Sequence, residues 1–315
     1  MPGTKTAQAL RKSIPPLSRR LPTPALLLFA LLVAGVIGGC GAHATTTAPR
    51  SPTVPQATPM PADWSDEFDG PANTLPNPAK WTYDLGGGWG KNELETYTNS
   101  IKNVHLDGMG HLVIHVAATR RGYTSARLKT QGMFAAHYGD YLEARIKLPT
   151  GQGIWPTFWL LGVSFDGSNW PSCGEIDVME NLGSQPSINR GSLHGQGYSG
   201  ANAISAAYVL PGGQRFSDGF HTFAIRWARG SITFLVDSTA YQTVTAASIP
   251  PGAPWVFDAP FFLLLSVAVG GNYAGPPDST TAFPQDMLVD YVRYTASTET
   301  ALLAMTNRPA WEVAR

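Results

Sequence analysis

Short runs in which apolar and polar positions alternate recur along the chain from about residue 64 onward, separated by clusters of Gly, Pro and Asn. HLVIHVAA (His111 to Ala118), YLEARIKL (Tyr141 to Leu148), FHTFAIRWA (Phe220 to Ala228) and SITFLVDS (Ser231 to Ser238) are of this kind, rich in β-branched and aromatic residues. A period of two puts successive side chains on opposite faces of a strand, so each run predicts a strand with one buried face. RWARGSITF predicts a hairpin that turns at Arg229 and Gly230. No long stretch of this region carries the 3.6-residue period of an amphipathic helix. The expected architecture is an all-β sandwich of two antiparallel sheets.

The pattern differs before residue 63. Basic residues (Lys5, Arg11, Lys12, Arg19, Arg20) precede the apolar run ALLLFALLVAGVIGGC, which is short for a membrane span and ends in small residues. We expect residues 1–39 to be an export signal. The IGGC tetrapeptide resembles a bacterial lipobox, which would place a lipid on Cys40. Residues 40–62 are rich in Thr, Ala and Pro with almost no aliphatic content, as in an extended tether. A single domain over 63–297 and a tail over 298–315 complete the expected organisation. The protein is then exported, held on the outer face of the membrane by the N-terminal lipid alone, or secreted. Lipidation of Cys40 leaves Cys173 without a disulfide partner, and Cys173 reads as a small buried hydrophobe, not a nucleophile.

Composition narrows the ligand. Charged residues make up 14% of the 315, the formal net charge is zero, and there are 33 Gly, 26 Pro, 9 Trp, 11 Tyr and 13 Phe. No broad positive field is present to favour a nucleic acid or a strongly anionic polymer, so a neutral ligand is expected.

WPSCGEIDVMENLG, Trp170 to Gly183, places the acids Glu175, Asp177 and Glu180 in a run otherwise suited to the inside of a sheet. On a strand, Glu175 and Asp177 share a face while Ile176 and Val178 point into the apolar layer. Glu180 falls out of phase. One extra residue at Val178 or Met179, taken up as a β-bulge, would return it to the face of the other two. Three neighbouring carboxylates repel one another, and structure alone supplies no reason for them. Retaining glycoside hydrolysis does, since it needs two carboxyl groups about 5–5.5 Å apart, one as nucleophile and one as general acid.

GEIDVMEN resembles the catalytic signature of glycoside hydrolase family 16 in the bulged form of its laminarinase-like members. WSDEFDG, GGGWGKNELETYT, YGDYLEARIKLPTGQGIWPTFWLLG, GSLHG, AVGGNYAGPP and FPQDMLVDYVRY are similar to that family's other blocks, so the resemblance runs from Trp64 to Tyr294. It implies a β-jelly-roll with a carbohydrate cleft. It also implies that Glu175 is the nucleophile, Glu180 the acid/base and Asp177 the acid that tunes the pair; the residues alone do not decide which Glu attacks.

The same resemblance suggests Trp155, Trp159 and Trp170 as platforms for the apolar face of a sugar, although each indole could instead belong to the core. Asn92, Glu93, Arg127 and His194 are the polar candidates for substrate binding. It implies no cofactor for catalysis but a structural calcium, with Glu67 and Asp290 offering hard oxygens. Two departures are visible: Lys91 and Asn92 stand where relatives carry two asparagines, and Ser266 stands for an asparagine. The expected protein is a monomeric endo-acting, retaining enzyme on β-1,3-glucan of the laminarin type or mixed-linkage β-glucan. The alternatives are a hydrolase or transglycosylase on another galactan or an envelope polysaccharide, and a non-catalytic glucan-binding protein.

If Cys40 carries the lipid, Cys40→Ala releases the protein from membrane fractions with its activity intact. Retention of the variant in those fractions, measured by fractionation and immunoblot, would rule out the lipoprotein reading.

Overall fold

The computed structural model describes residues 63–296; the predicted signal segment 1–39, Cys40 with the tether to residue 62, and the tail 298–315 lie outside the described residues. The chain forms β1 (Asp63–Asp66), β2 (Thr82–Asp84), β3 (Glu95–Tyr97), β4 (Val104–Leu106), β5 (Leu112–Thr119) and β6 (Gly122–Ser125). β7 (Arg127–Lys129), β8 (Asp140–Lys147), β9 (Ile154–Gly162), β10 (Glu175–Glu180), β11 (Ile188–His194) and β12 (Ile204–Val209) follow. β13 (His221–Ala228), β14 (Ser231–Val236), β15 (Thr239–Thr245), β16 (Phe261–Val269), the single turn α1 (Gly271–Ala274) and β17 (Gln285–Thr295) complete it.

Four of these strands, β5, β8, β13 and β14, are the alternating runs of the sequence, displaced by no more than two residues at any end. The predicted hairpin joins β13 to β14, with Ala228 opposite Ser231 and Gly230 at φ 68°. One sheet has ten strands in the order β15-β14-β13-β8-β17-β5-β6-β3, with β1 added on β17 and β4 on β5. The other has seven, in the order β12-β11-β10-β9-β16-β7-β2. Apart from β3 with β6, every strand pair is antiparallel. This is the jelly-roll sandwich, with the main core between its sheets.

Alternation decides which side chains enter that core. On β8, Leu142, Ala144 and Ile146 are buried. On β16 all nine residues are buried, and the period of two divides them between two apolar layers. Phe261, Leu263, Leu265, Val267 and Val269 join the main core, while Phe262 and Leu264 face the other way and pack with Leu161 and Cys173 beneath Trp159 and Phe165. The acid-bearing strand β10 lies in the interior of the seven-stranded sheet, separated from β16 only by β9. Its neighbours therefore bury it on both edges, and a rigid central strand holds side chains more firmly than a loop.

Cys173 sits in the smaller layer, buried as expected. Burial, and then the charge of Glu175, push its thiol up to about 11, so it stays protonated and unreactive.

The segment between β9 and β10 is clamped at its base. Gly162 N–H donates to Gly174 O at 3.2 Å, and a Cβ placed on Gly162 would lie 2.0 Å from the carbonyl oxygen of Cys173. That obstacle is backbone, so it cannot rotate away. Gly162→Ala should lower stability by about 1–3 kcal/mol, the range for overpacking a filled site. A urea midpoint equal to that of the wild type would show that the two segments are not in this contact.

Candidate active site

The extra residue in β10 is real and lies at Val178. Against β9, Asp177 pairs with Trp159 and Met179 with Phe158, leaving Val178 without an opposite number. Against β11 the register jumps between Asp177, opposite Ser192, and Glu180, opposite Arg190. Ile176, Val178 and Met179 all enter the main core, and the three acids emerge on the other face. A bulge breaks the ladder and leaves backbone groups in need of partners. Asn189 of β11, fully buried, supplies them: its Oδ1 accepts the Glu180 N–H at 3.2 Å and its Nδ2 reaches Val178 O at 3.4 Å and the Tyr241 hydroxyl at 3.2 Å. Tyr241 comes from β15 in the opposite sheet, and a Cβ on Gly191 would lie 2.4 Å from its hydroxyl. Glycine at 191 thus admits a support that runs through the core.

Each acid has its own donor. The Trp170 indole N–H donates to Glu175 Oε2 at 2.8 Å, and the Tyr273 hydroxyl donates to Glu180 Oε2 at 3.1 Å. His194 Nε2 lies 3.0 Å from Asp177 Oδ2 and 3.7 Å from Glu175 Oε1. The Gly200 N–H donates to His194 Nδ1 at 3.1 Å, so in the neutral ring the proton sits on Nε2 and points at the acids. Among the described residues, Glu175, Asp177 and His194 form the one group of three such side chains close enough to hold a metal ion. The tautomer opposes that use, because a ligating imidazole presents a lone pair to the metal and donates from its other nitrogen. The trio is a proton-handling site.

Burial raises all three acids above the ordinary carboxylate range. For Glu175 it does so up to about 8, with the charge of Asp177 adding and those of His194 and the Trp170 hydrogen bond opposing. Asp177 is raised well above that range, by burial and then by Glu180. Glu180 is raised by burial, with Tyr273, His194 and Arg190 working against it. Three acids in one low-dielectric place cannot all ionise. Asp177, raised well above the ordinary range, is the acid that keeps its proton, and the remaining charge is shared between Glu175 and Glu180.

A cleft of about 340 Å³ opens over these groups. Glu93, Arg127, Trp155, Trp159 and Trp170 all line it, so five of the seven predicted substrate residues meet there. Arg127 is held by Asp84 at 2.9 Å and lies between two indoles, 4.7 Å from the Trp159 ring and 5.0 Å from that of Trp89. Trp159 is half-buried, with its N–H 3.4 Å from Ser266 Oγ, and Ser266 also meets Thr157 Oγ1 at 2.7 Å. Burial, and then the charge of Glu95, raise Glu93 to about 7, so the cleft wall carries a fourth carboxyl, one that is neutral in mild acid. His194 acts behind the acids. Asn92 does not line the cleft: its Nδ2 donates to Asn272 Oδ1 at 3.2 Å and ties two loops together. Its neighbour Lys91 sits at φ 48°, a conformation that asparagine tolerates better.

The proposed calcium ligands do not fit a shared cation site as side chains. Glu67 makes two hydrogen bonds to Arg293, at 3.0 and 2.7 Å, and Asp290 pairs with Arg145. The small hollow of about 230 Å³ beside Glu67 is lined by Asp66, Asp69 and Lys80 but not by Asp290. An ion bound by both carboxylates would have to displace an arginine from each.

Four residues with roles here escaped the sequence reading: Trp89, Asn189, Tyr241 and Tyr273. Trp89 and Tyr273 lie within quoted motifs and could have been flagged as exposed aromatics between glycines. Nothing local marks Asn189 or Tyr241: Asn189 reaches the bulge from the next strand, and Tyr241 meets Asn189 across 52 positions.

The family model for glycosyl hydrolases family 16 matches residues 89–293. A beta-glucanase of Rhodothermus marinus is 39% identical over 242 residues, covering 73% of this chain and 83% of that protein. The laminarinase catalytic domain of Thermotoga maritima superposes with a TM-score of 0.70 at 42% identity, over 75% of this chain and 98% of that one. An endo-beta-1,3-glucanase of Pyrococcus furiosus gives 0.69 at 42% identity, over 77% and 98%.

The raised Glu175 links the site to stability. A folded-state pKa above the unfolded value means that the folded chain holds the proton more tightly. The stability this contributes is complete below about pH 4.5 and is lost as pH rises through about 8. Glu175→Gln should therefore melt higher than the wild type at pH 8, with the difference closing at pH 4. A difference that is constant across that range would show that Glu175 is not held protonated by its surroundings.

Proposed function

The chain belongs to glycosyl hydrolases family 16, and we propose on that premise that it is an endo-acting, retaining glucanase that cleaves β-1,3-glucan of the laminarin type. The observation that carries this reading is the bulged strand that delivers Glu175, Asp177 and Glu180 to one face, inside a cleft walled by Trp89, Trp155, Trp159 and Trp170. Aromatic walls suit the C–H faces of a neutral pyranose, and the chain's zero net charge gives a sulfated polymer no general attraction.

The roles of the two glutamates are those the family resemblance implies, and the donors are compatible with them. The reactive form is the one in which Glu175 is ionised and Glu180 holds the proton: the Glu175 carboxylate, oriented by the Trp170 N–H, attacks the anomeric carbon. Glu180, whose carboxyl burial raises above the ordinary range, gives its proton to the departing glycosidic oxygen. Once Glu175 is esterified its charge is gone, and Glu180 more readily keeps the ionised form that draws a proton from the incoming water. Asp177, neutral and fixed by His194, stands between the two glutamates on the strand without adding a charge. Both glutamates are present, which favours catalysis over mere binding. The Cys40 tether would keep this activity on the outer face of the membrane, and the calcium suggested by the resemblance is not needed for any step.

Removing the general acid by Glu180→Ala should lower turnover of β-1,3-glucan by about 10²–10⁴-fold and of an activated aryl glycoside far less. Azide should restore that aryl activity with retained configuration, whereas Glu175→Ala with azide should give the inverted product. Proton NMR of the first product decides the reading: an α-anomer released by the wild type would exclude retention, and swapped azide products would reverse the two roles.

A further inference from the structure

Tyr273 makes a contact that sugar stacking does not require. Its turn, α1, is entered through Gly270 and Gly271, at φ 75° and 78°. A Cβ on the first would lie 2.5 Å from Leu94 Cδ1, and one on the second 2.8 Å from Lys91 O. Glycine lets this turn press against the 91–94 loop, where the Asn272 N–H donates to Lys91 O at 2.6 Å. On the far side, Gln152 Nε2 donates to Ala274 O at 2.8 Å. A short turn pinned on both sides holds its side chain in one place. The Tyr273 ring packs on Trp155 with centroids 4.9 Å apart, and its hydroxyl donates to Glu180 Oε2 at 3.1 Å.

We propose that Tyr273 is a positioning residue for the acid/base: by occupying Oε2 of Glu180 it leaves the transferable proton on Oε1, and it stabilises the carboxylate left behind. The inference rests on the reading of Glu180 as acid/base given above. In the first half-reaction the Oε1–H bond breaks, that proton bonds to the glycosidic oxygen, and the C–O bond to the leaving alcohol breaks. The Glu175 oxygen bonds to the anomeric carbon as this happens. In the second, water loses a proton to Glu180 while its oxygen takes the anomeric carbon from Glu175. The phenol keeps its own proton throughout, since burial and the charge of Glu180 raise it well above working pH.

Glu180 is faced by Asp177 and Glu175 on its own strand, by His194 and Arg190 from β11, by the Trp155 indole from β9 and by the phenol from α1. Burial raises Glu180, and Tyr273 leads the contacts that favour its ionised form. Loss of the hydroxyl therefore moves the acid/base upward.

Tyr273→Phe keeps the ring on Trp155 and removes only the hydroxyl. Its alkaline limb in kcat/KM should move up by about one to two pH units, as expected for one hydrogen bond to a charged group. Its kcat on β-1,3-glucan should fall about 5–20-fold, while that on a dinitrophenyl β-glucoside of laminari-oligosaccharide, which needs little acid help, should fall less than about 2-fold. Tyr273→Ala, which also removes the ring, should add a rise in KM. An unmoved alkaline limb, equal losses on both substrates, or a change confined to KM in Tyr273→Phe would overturn the positioning role. A wild type inactive on every β-glucan would instead overturn the functional reading, and the two failures are distinct.

Discussion

The whole site depends on one strand serving two masters. β10 must give Ile176, Val178 and Met179 to the core and three acids to the cleft, and strict alternation cannot do both over six residues. The bulge at Val178 resolves the conflict by letting two consecutive residues, Val178 and Met179, face inward. Without it Glu180 would point into the apolar layer. The bulge in turn needs its broken ladder repaired, and that demand reaches Asn189 on β11, Tyr241 in the opposite sheet and the bare Cα of Gly191.

Burial makes the acids useful and also makes them unfavourable for folding. Taken from water, all three carboxyls resist ionisation, so a proton is at hand for a leaving group near neutral pH. The surrounding donors divide the labour: an indole on Glu175, an imidazole of fixed tautomer on Asp177 and a phenol on Glu180. Each donor arrives from a different element, the 163–174 segment, β11 and α1. Catalytic geometry in this molecule is therefore a property of several loops clamped to one rigid strand. The glycine contacts at Gly162, Gly270 and Gly271 are the clamps.

The sequence by itself determined whatever depends on local period and residue type. Alternation located β5, β8, β13 and β14, and the turn at Arg229 and Gly230 followed from the same pattern. The spacing of Glu175, Asp177 and Glu180 required a bulge at Val178 or Met179, because strict alternation cannot put all three on a face, and the motif's resemblance supplied the reaction class. The resemblance marked Trp155, Trp159 and Trp170 as sugar platforms, and all three line the cleft. The tertiary structure alone decided what depends on partners distant in the chain. Asn92 turned from a sugar contact into a loop tie because Asn272 lies beside it, and Glu67 and Asp290 turned from cation ligands into ion pairs because Arg293 and Arg145 reach them first. Tyr273 meets Glu180 across 93 positions and Asn189 meets Tyr241 across 52. A hydrogen bond is set by a few tenths of an ångström between atoms that only the packed sheets bring together, and no one-dimensional period encodes that distance.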